Sequence, residues 1–325
     1  MKSKYAPIII TVYDRIDHFR QCVESLLENP ESSESDLFIS SDGPTDPSSA
    51  ERVERVRNYI KVIQGFKSVT PFLPKENTNF QVMRDVLSFV SSNYDSYILT
   101  EDDNIFSRSA LKFLNDALNT YAGSVDVFAV SAFLYPNFPI DGENQIFLPC
   151  CAGYGTGHWS YKNIFTAKSE RKLSYDAMRS INSFSKINRV IPSIAPLMQS
   201  IALGNLAAGD VAHTIHCITE NKVCVFPPIS LVRNTGYDGS GIRCGEDRRF
   251  SEQNILNSDV ILDPLKKIVV KHEHRIWIFN FFGGRLAAIR SIEAFFVFNL
   301  GPIWLKKAYL KTVNPIKSLI KSMLV

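Results

Sequence analysis

The chain has 325 residues, 45% hydrophobic and 21% charged, with a formal net charge of +3. That length supports one large domain or two modest ones with a full core, and the composition excludes a low-complexity or repeat architecture. So small a charge makes no case for nucleic acid as a partner, but its distribution is uneven: from Arg275 onward eight Lys/Arg face one acid, Glu293, and the rest of the chain is net acidic. The opening "MKSKYAPIIITVYDR" has too short an apolar stretch and no small-residue cleavage site for a secretory signal. No apolar run approaches the roughly 20 residues that span a bilayer. Six cysteines without a CxxC pattern or paired metal-ligand spacing read as reduced thiols of a cytoplasmic protein, and the adjacent Cys150-Cys151 as buried packing.

In chain order, "PIIITV" (7–12) is a buried strand that Pro7 can only begin. "DHFRQCVESLLEN" follows as a helix with Phe19, Cys22, Val23, Leu26 and Leu27 at helical spacing and Asp17 placed to cap it. "SDLFISSDGP" (35–44) is a second strand ending in a polar turn. "SSAERVERVRNYIKVI" (48–63) is a second helix, "KSVTPFL" a short third strand, "FQVMRDVLSFVSSN" a third helix and "SYILTEDD" a fourth strand. Strands alternating with helices predict a largely parallel sheet covered on both faces, with ligands gathering beyond the carboxyl ends of its strands. "VYDR", "SSDGP" and "TEDDN" all belong at that edge.

Further on, "SRSALKFLNDALNTYA" (107–122) is an amphipathic helix and "VFAVSAFLY" (127–135) a strand. "FLPCCAGYGTGHWSYKNIF" (147–165) carries Gly153, Gly155 and Gly157 between aromatics. From 166 to 221 helix dominates, including "GDVAHTIHCITEN" (209–221). "KVCVFPPISLVRN" returns to strand, and "TGYDGSGIRCGED" is a polar glycine loop. His272 and His274 of "KHEHR" (271–275) would share one side of a strand. The tail can be drawn as helices over 285–298 and 303–324 with apolar and basic faces, a pattern suited to an anionic membrane surface.

Three constellations could carry chemistry. Glu101, Asp102 and Asp103 are adjacent carboxylates at a strand end; hard divalent cations prefer such oxygens, and a bound cation would turn their repulsion into attraction. The plainer alternative is that Asp102 or Asp103 only turns the chain. The 153–157 stretch lacks the Gly-Lys-Ser/Thr of a P-loop and the context of a dinucleotide fingerprint. It is either a turn requiring glycine beside Tyr154 and Trp159, or a wall against which a sugar or acceptor lies. Asp210, where a helix begins, is either a helix cap or a general base.

Taken together, "PIIITVYDR", "FISSDGP", "ILTEDDN" with the helix after it, "FAVSAFLYP", "GYGTGHWSYKNIF" and "VFPPISLVRNTGYDGSGIRC" resemble the inverting glycosyltransferases of the GT-A fold, over residues 6 to about 245 in the same order. The look is that of the N-acetylglucosaminyltransferase I group and bacterial enzymes of surface-polysaccharide synthesis. The resemblance implies an α/β, Rossmann-like fold, a nucleoside-diphosphate-sugar donor (a UDP-sugar favoured), Mn²⁺ or Mg²⁺, and a glycan or lipid-linked acceptor. Carried over by position, Arg15 and Asp42 match contacts to the base and ribose of the donor, and Glu101 and Asp102 contacts to ribose and donor sugar. Asp103 matches the metal ligand and Asp210 the catalytic base. Tyr154 stands where relatives carry Trp, with Gly155 and Trp159 as further acceptor or sugar contacts. "AAGDVAH" departs from a tryptophan-containing pattern, and Asn79 stands where glycine is common, a position whose positive φ asparagine tolerates.

The expected organisation is a catalytic domain over 1–274, with a nucleotide-sugar half over 1–135 and an acceptor half over 136–274, followed by an amphipathic basic segment, 275–325. Two rivals keep a place: a catalytically inactive assembly partner, against which the intact triplet argues, and a sugar nucleotidyltransferase. The latter needs a glycine-rich, arginine-containing loop after the first strand, and "TVYDRIDHF" has no glycine.

Overall fold

A computed structural model describes residues 4–140, 142–162, 166–241 and 245–301. The chain forms two compact units: one drawn from Met1–Ile146, Ala152–Asn163 and Val225–Lys267, the other from Phe147–Cys151, Ile164–Cys224 and Ile268–Val325. No helix among the described residues is long and apolar enough to cross a membrane. The expected helix over 303–324 lies outside the described residues.

The first unit opens β1 (Ile8–Val12), α1 (Ile16–Leu27), β2 (Asp36–Ser41), α2 (Pro47–Ile60), β3 (Ser68–Phe72), α3 (Gln81–Asn93), β4 (Ser96–Glu101), β5 (Asn104–Phe106), α4 (Ala110–Thr120) and β6 (Val127–Ser131). After β7 (Ile146–Leu148) comes β8 (Thr156–Trp159), and later β9 (Val223–Phe226), β10 (Val232–Asn234) and α9 (Arg248–Ser251). Eight strands make one sheet in the order β3-β2-β1-β4-β8-β6-β9-β7, and within β7 and β9 the chain passes from one unit to the other. β3, β2, β1 and β4 run parallel, whereas β8 is antiparallel to both β4 and β6. The Ile8-Ile9-Ile10 run is fully buried because helices cover both faces of the parallel strands. On one face Ile9, Phe38 and Tyr97 pack with Val86 and Val90 of α3.

The helices obey their local chemistry. Asp46 and Ser49 form a reciprocal capping box at the start of α2, with Pro47 in its first turn. In α1 the expected cap is corrected: Arg15 holds the N-cap position, and Asp17 lies inside the first turn, where its charge meets the helix dipole.

His158 on β8 is buried, stacks on Tyr97 at 5.4 Å between ring centroids, and lies 2.9 Å (Nε2) from Thr156 Oγ1. Burial pushes its pKa down from 6.5 to about 4. Between those values the unfolded chain binds a proton that the folded chain refuses, so stability rises with pH there and is lost as pH falls from 6.5 toward 4. The full loss is about 3 kcal/mol. His158→Phe, which keeps the stacked ring, should flatten this part of a pH series of urea-unfolding curves; a wild-type slope surviving in the variant would assign it to other groups.

The second unit is helical: α5 (Ala167–Arg179), α6 (Ile181–Asn188), α7 (Ala195–Ala202), α8 (Gly209–Thr219), α10 (His272–Phe281) and α11 (Gly284–Leu300). α11 lies against α5 and α6: Phe184 meets Phe295 at 4.4 Å, Tyr175 meets Phe298 at 5.7 Å, and Asn299 Nδ2 donates to the Met178 carbonyl at 2.8 Å. The strand expected over 271–275 is instead the start of α10. His274 is buried and His272 exposed, so they do not form a pair on one side of a strand.

Candidate functional site

Strand register builds the site in the first unit. Thr11 of β1 pairs with Glu101 of β4, Val12 pairs with Ser41 of β2, and the Asp102 N–H donates to the Thr11 carbonyl at 3.1 Å. The loops after β1, β2 and β4 therefore open on one carboxyl edge, as the sequence implied. Arg15, Asp102 and Asp103 meet there. One guanidinium nitrogen, Arg15 Nη2, donates to Asp102 Oδ1 at 2.5 Å and to Asp103 Oδ2 at 2.7 Å. Both carboxylates are buried, while Glu101 is exposed.

The electrostatics follow. Burial pushes Asp102 up to about 6, against the attraction of Arg15 and with repulsion from Asp103 adding to it. Burial also opposes the charge on Arg15, but its ion pairs with Asp102 and Asp103 outweigh that and hold it above its ordinary value. The pair thus carries more negative charge than one arginine cancels, and Glu101 adds to it.

A short ladder not singled out from sequence completes the cradle. β5 pairs antiparallel with β10, setting Asn104 opposite Asn234. Asn234 Nδ2 donates to Asp103 Oδ1 at 2.8 Å and to Asn104 Oδ1 at 3.0 Å. Thr235 donates twice to the Asp103 carbonyl, from its N–H at 2.8 Å and its hydroxyl at 2.9 Å. Gly236 follows, and a Cβ there would lie 2.1 Å from Asp103 Oδ2. In sequence Asn234 reads as the end of a strand and "TG" as the start of a polar glycine loop, and nothing in their composition announces a grip on Asp103. Beyond it, His18 Nε2 lies 3.0 Å from Asp238 Oδ2. Burial would raise the Asp238 pKa, but hydrogen bonds from Ser240 and the contact with His18 hold it below the usual carboxylate value.

Asp42 reaches the same edge but is occupied by its own loop. Its carboxylate accepts from the N–H groups of Gly43 and Thr78 and the Thr78 hydroxyl on Oδ1, and from the Phe80 N–H on Oδ2, at 2.8 to 3.1 Å. Arg57, also missed from sequence, ties the carbonyls of Ser41, Asp42 and Pro74 together through Nη2. Asn79 has positive φ, 52°, and so does the exposed Phe80, at 67°. A bulky residue in that region is strained and is held there by the contacts around it, here Asp42.

The glycine stretch divides. Tyr154 is half-buried, its hydroxyl 2.9 Å from that of Tyr237, and its ring packs edge-on against Phe133 at 4.9 Å. Gly155 turns the chain with φ +66°, and a Cβ would lie 2.9 Å from Phe106, so only glycine passes beneath that ring. Trp159 is corrected as a sugar contact. It pairs with Ser96 at the start of β4, the opposite end from Glu101, and its buried indole N–H donates to the Leu118 carbonyl at 3.1 Å. Asp210 belongs to the second unit, exposed in the first turn of α8; the N-cap position is Ala208, so Asp210 is not the cap. Of the other acids in the 236–247 loop, Asp247 caps α9 and pairs with Arg249 at 2.7 Å, and Glu246 is exposed.

The donor set fits a hard divalent cation on the structure's own terms. It offers buried carboxylate oxygens in excess of their counter-charge and glycine where a side chain would fill the space beside Asp103.

No family model matches the chain, and no curated protein is similar to it in sequence. Solved structures similar to it in backbone include S. aureus TarS, at 13% identity over 53% of this chain and 30% of that one, with a TM-score of 0.33. The structure of S. aureus TarS 1-349 matches at 11% identity over 68% of this chain and 70% of that one, TM-score 0.35. The mannosyltransferase PcManGT from Pyrobaculum calidifontis, in complex with GDP-Man and Mn²⁺, matches at 12% identity over 66% of this chain and 70% of that one, TM-score 0.38. The chain thus spans 30% of the length of the first TarS structure.

Proposed function

We propose that the chain is a divalent-metal-dependent glycosyltransferase, moving a sugar from a nucleoside-diphosphate donor to a hydroxyl of a glycan or lipid-linked acceptor, with inversion. The observation that carries this reading is the buried Asp102–Asp103 pair at the carboxyl end of β4, gripped by Arg15 on one side and Asn234 on the other. Two adjacent buried carboxylates sharing one arginine are costly to a fold, and a hard cation bound with a diphosphate would offset that cost.

Asp103, with Asp102 beside it, would hold Mn²⁺ or Mg²⁺. When bound, the cation supplies Lewis-acid stabilisation of the charge that develops on the departing nucleoside diphosphate. Arg15 presents a fixed guanidinium to the same anionic region, and exposed Glu101 offers a carboxylate to donor hydroxyls. The loop that Asp42 holds presents Phe80 to solvent beside the donor site, a ring for the base of a UDP-sugar. We assign Asp210, an exposed carboxylate in the first turn of α8, as the base for the acceptor hydroxyl's proton; inversion requires that the hydroxyl oxygen bond to the anomeric carbon on the face opposite the departing diphosphate.

A screen of nucleotide-sugars for hydrolysis with Mn²⁺ tests the reading without knowledge of the acceptor. One sugar nucleotide should be turned over, and turnover should stop with EDTA. No binding of any nucleoside diphosphate in the presence of Mn²⁺ would overturn it. For the base, Asp210→Asn keeps size and removes proton acceptance, so kcat should fall about 10²-fold with donor affinity intact. An unchanged pH–rate profile would reduce Asp210 to an ordinary surface acid.

For a lipid-linked acceptor, α11 offers a membrane-facing surface. Its inner face buries Ser291, Ala294 and Phe298, while Leu286, Ile289, Ile292, Phe296 and Leu300 are exposed, with Arg285, Arg290 and a single acid, Glu293, between them. Exposed apolar side chains among cations suit an anionic membrane surface on the cytoplasmic side, where a lipid-linked acceptor is confined. Pelleting with liposomes should rise with anionic lipid, fall with salt, and weaken about tenfold in Leu286→Ser/Ile289→Ser, which spares the packed face. Equal pelleting of variant and wild type would remove the membrane from the proposal.

A further inference from the structure

Outside this site, the second unit gathers three cysteines from segments far apart in sequence: Cys151 just after β7, Cys217 on α8 and Cys224 on β9. All three are buried. Their sulfurs are separated by 2.8 Å (Cys151–Cys224), 3.9 Å (Cys217–Cys224) and 4.0 Å (Cys151–Cys217). The backbone around them is fixed: the Cys151 N–H donates to Thr214 Oγ1 at 3.0 Å, and the Lys222 N–H donates to the Cys217 carbonyl at 2.8 Å. Cys150 and Cys22 are buried as well but lie outside the cluster.

Two edges of the triangle, 3.9 and 4.0 Å, match the roughly 3.8 Å that two thiolates keep on one tetrahedral zinc with bonds of about 2.3 Å; the Cys151–Cys224 edge, at 2.8 Å, has to open by about 1 Å to admit the ion. The point equidistant from the three sulfurs lies about 2.1 Å from each, slightly inside the zinc–thiolate bond of about 2.3 Å. An ion at bonding distance therefore sits just out of the sulfur plane, with its fourth position facing away from the three sulfurs.

The cavity beside Cys217 is lined by cations. Three thiolates and a dication leave one negative charge in the interior, which requires compensation. Cys217 lines a cavity of about 240 Å³ that Lys186, Arg189, Lys222 and Arg275 also line, with no acid among its walls. None of these four cations forms an ion pair among the described residues. The cavity also gives the ion an entry path and room for a fourth, solvent-derived ligand.

We propose that Cys151, Cys217 and Cys224 form a trithiolate Zn²⁺ site that clamps β7, α8 and β9 together and is independent of the carboxylate site. On binding, each thiol gives up its proton to solvent as its sulfur donates a lone pair to the ion; no oxidant or reductant takes part. The test uses the full chain, stripped with EDTA under a phosphine reductant and titrated with Co²⁺ as a spectroscopic probe. One equivalent should bring up sulfur-to-cobalt charge-transfer absorption in the near ultraviolet, one equivalent of Zn²⁺ should remove it, and Zn²⁺ should raise Tm. Cys217→Ser and Cys151→Ser should lose the absorption, whereas Cys22→Ser and Asp103→Asn should keep it; the last separates this site from the carboxylates. The wild-type spectrum needs no variant to fold. Absence of charge transfer in the wild type, an unchanged spectrum in Cys217→Ser, or a Cys151–Cys224 disulfide mapped in the freshly purified chain would each overturn the proposal.

Discussion

Asp103→Asn should lower sugar transfer about 10³-fold, the scale of losing a metal's stabilisation of a leaving group. The fold should survive. Asp102 and Asp103 repel one another in a buried setting, where burial already pushes Asp102 up to about 6, so neutralising one relieves repulsion. Asparagine keeps the volume and still accepts from Asn234, which now donates to Asp103 Oδ1 at 2.8 Å. Arg15 keeps its pairing with Asp102. The variant should therefore unfold within about 1 kcal/mol of wild type while calorimetry shows Mn²⁺-dependent nucleoside diphosphate binding lost. Near-normal turnover in the variant, insensitive to EDTA, would remove the metal from Asp103.

Gly236→Ala should come close to the same loss, also about 10³-fold, without touching a charged group. Position 236 is not in the left-handed region, so alanine suits its backbone. The severe conflict is with one side chain: the added Cβ would lie 2.1 Å from Asp103 Oδ2 and 2.8 Å from Cγ, with Asn234 Oδ1 next at 3.2 Å. That carboxylate cannot simply swing away, because Arg15 and Asn234 hold its two oxygens. Either those bonds break or the loop lifts; both displace the proposed metal ligand. A double-mutant cycle isolates the mechanism. In an Asp103→Ala background the two closest obstructing atoms are gone and only Asn234 Oδ1, at 3.2 Å, remains near, so Gly236→Ala should cost little more, a strong non-additivity between neighbours. Additive losses would place the effect elsewhere in the loop.

These variants also separate what is local from what is not. The acidic triplet was legible because its members are consecutive: a β-type run ending in three carboxylates poses its electrostatic problem within a few residues. Arg15 was legible through a resemblance in the "YDR" turn, and the structure brings it to the acids. Asp42 was placed at the correct edge, yet the partners that absorb its carboxylate, Thr78 and Phe80, lie a helix and a strand away. Trp159 misled because aromatic residues beside glycines look alike whichever end of a strand they occupy; antiparallel pairing of β8 with β4 sends it away from Glu101.

By itself, the sequence determined the alternation of strand and helix, the buried parallel strands and the gathering of three polar loops at one carboxyl edge. These follow from hydrophobic period and chain direction, which act over a few residues. Only the tertiary structure decided that Asn234 grips Asp103, that Gly236 must lack a side chain, that 271–275 is helical, and that Cys151, Cys217 and Cys224 converge. Each depends on pairing or packing between segments remote in the chain, and that pairing is set by the whole core, not by any window of residues within it.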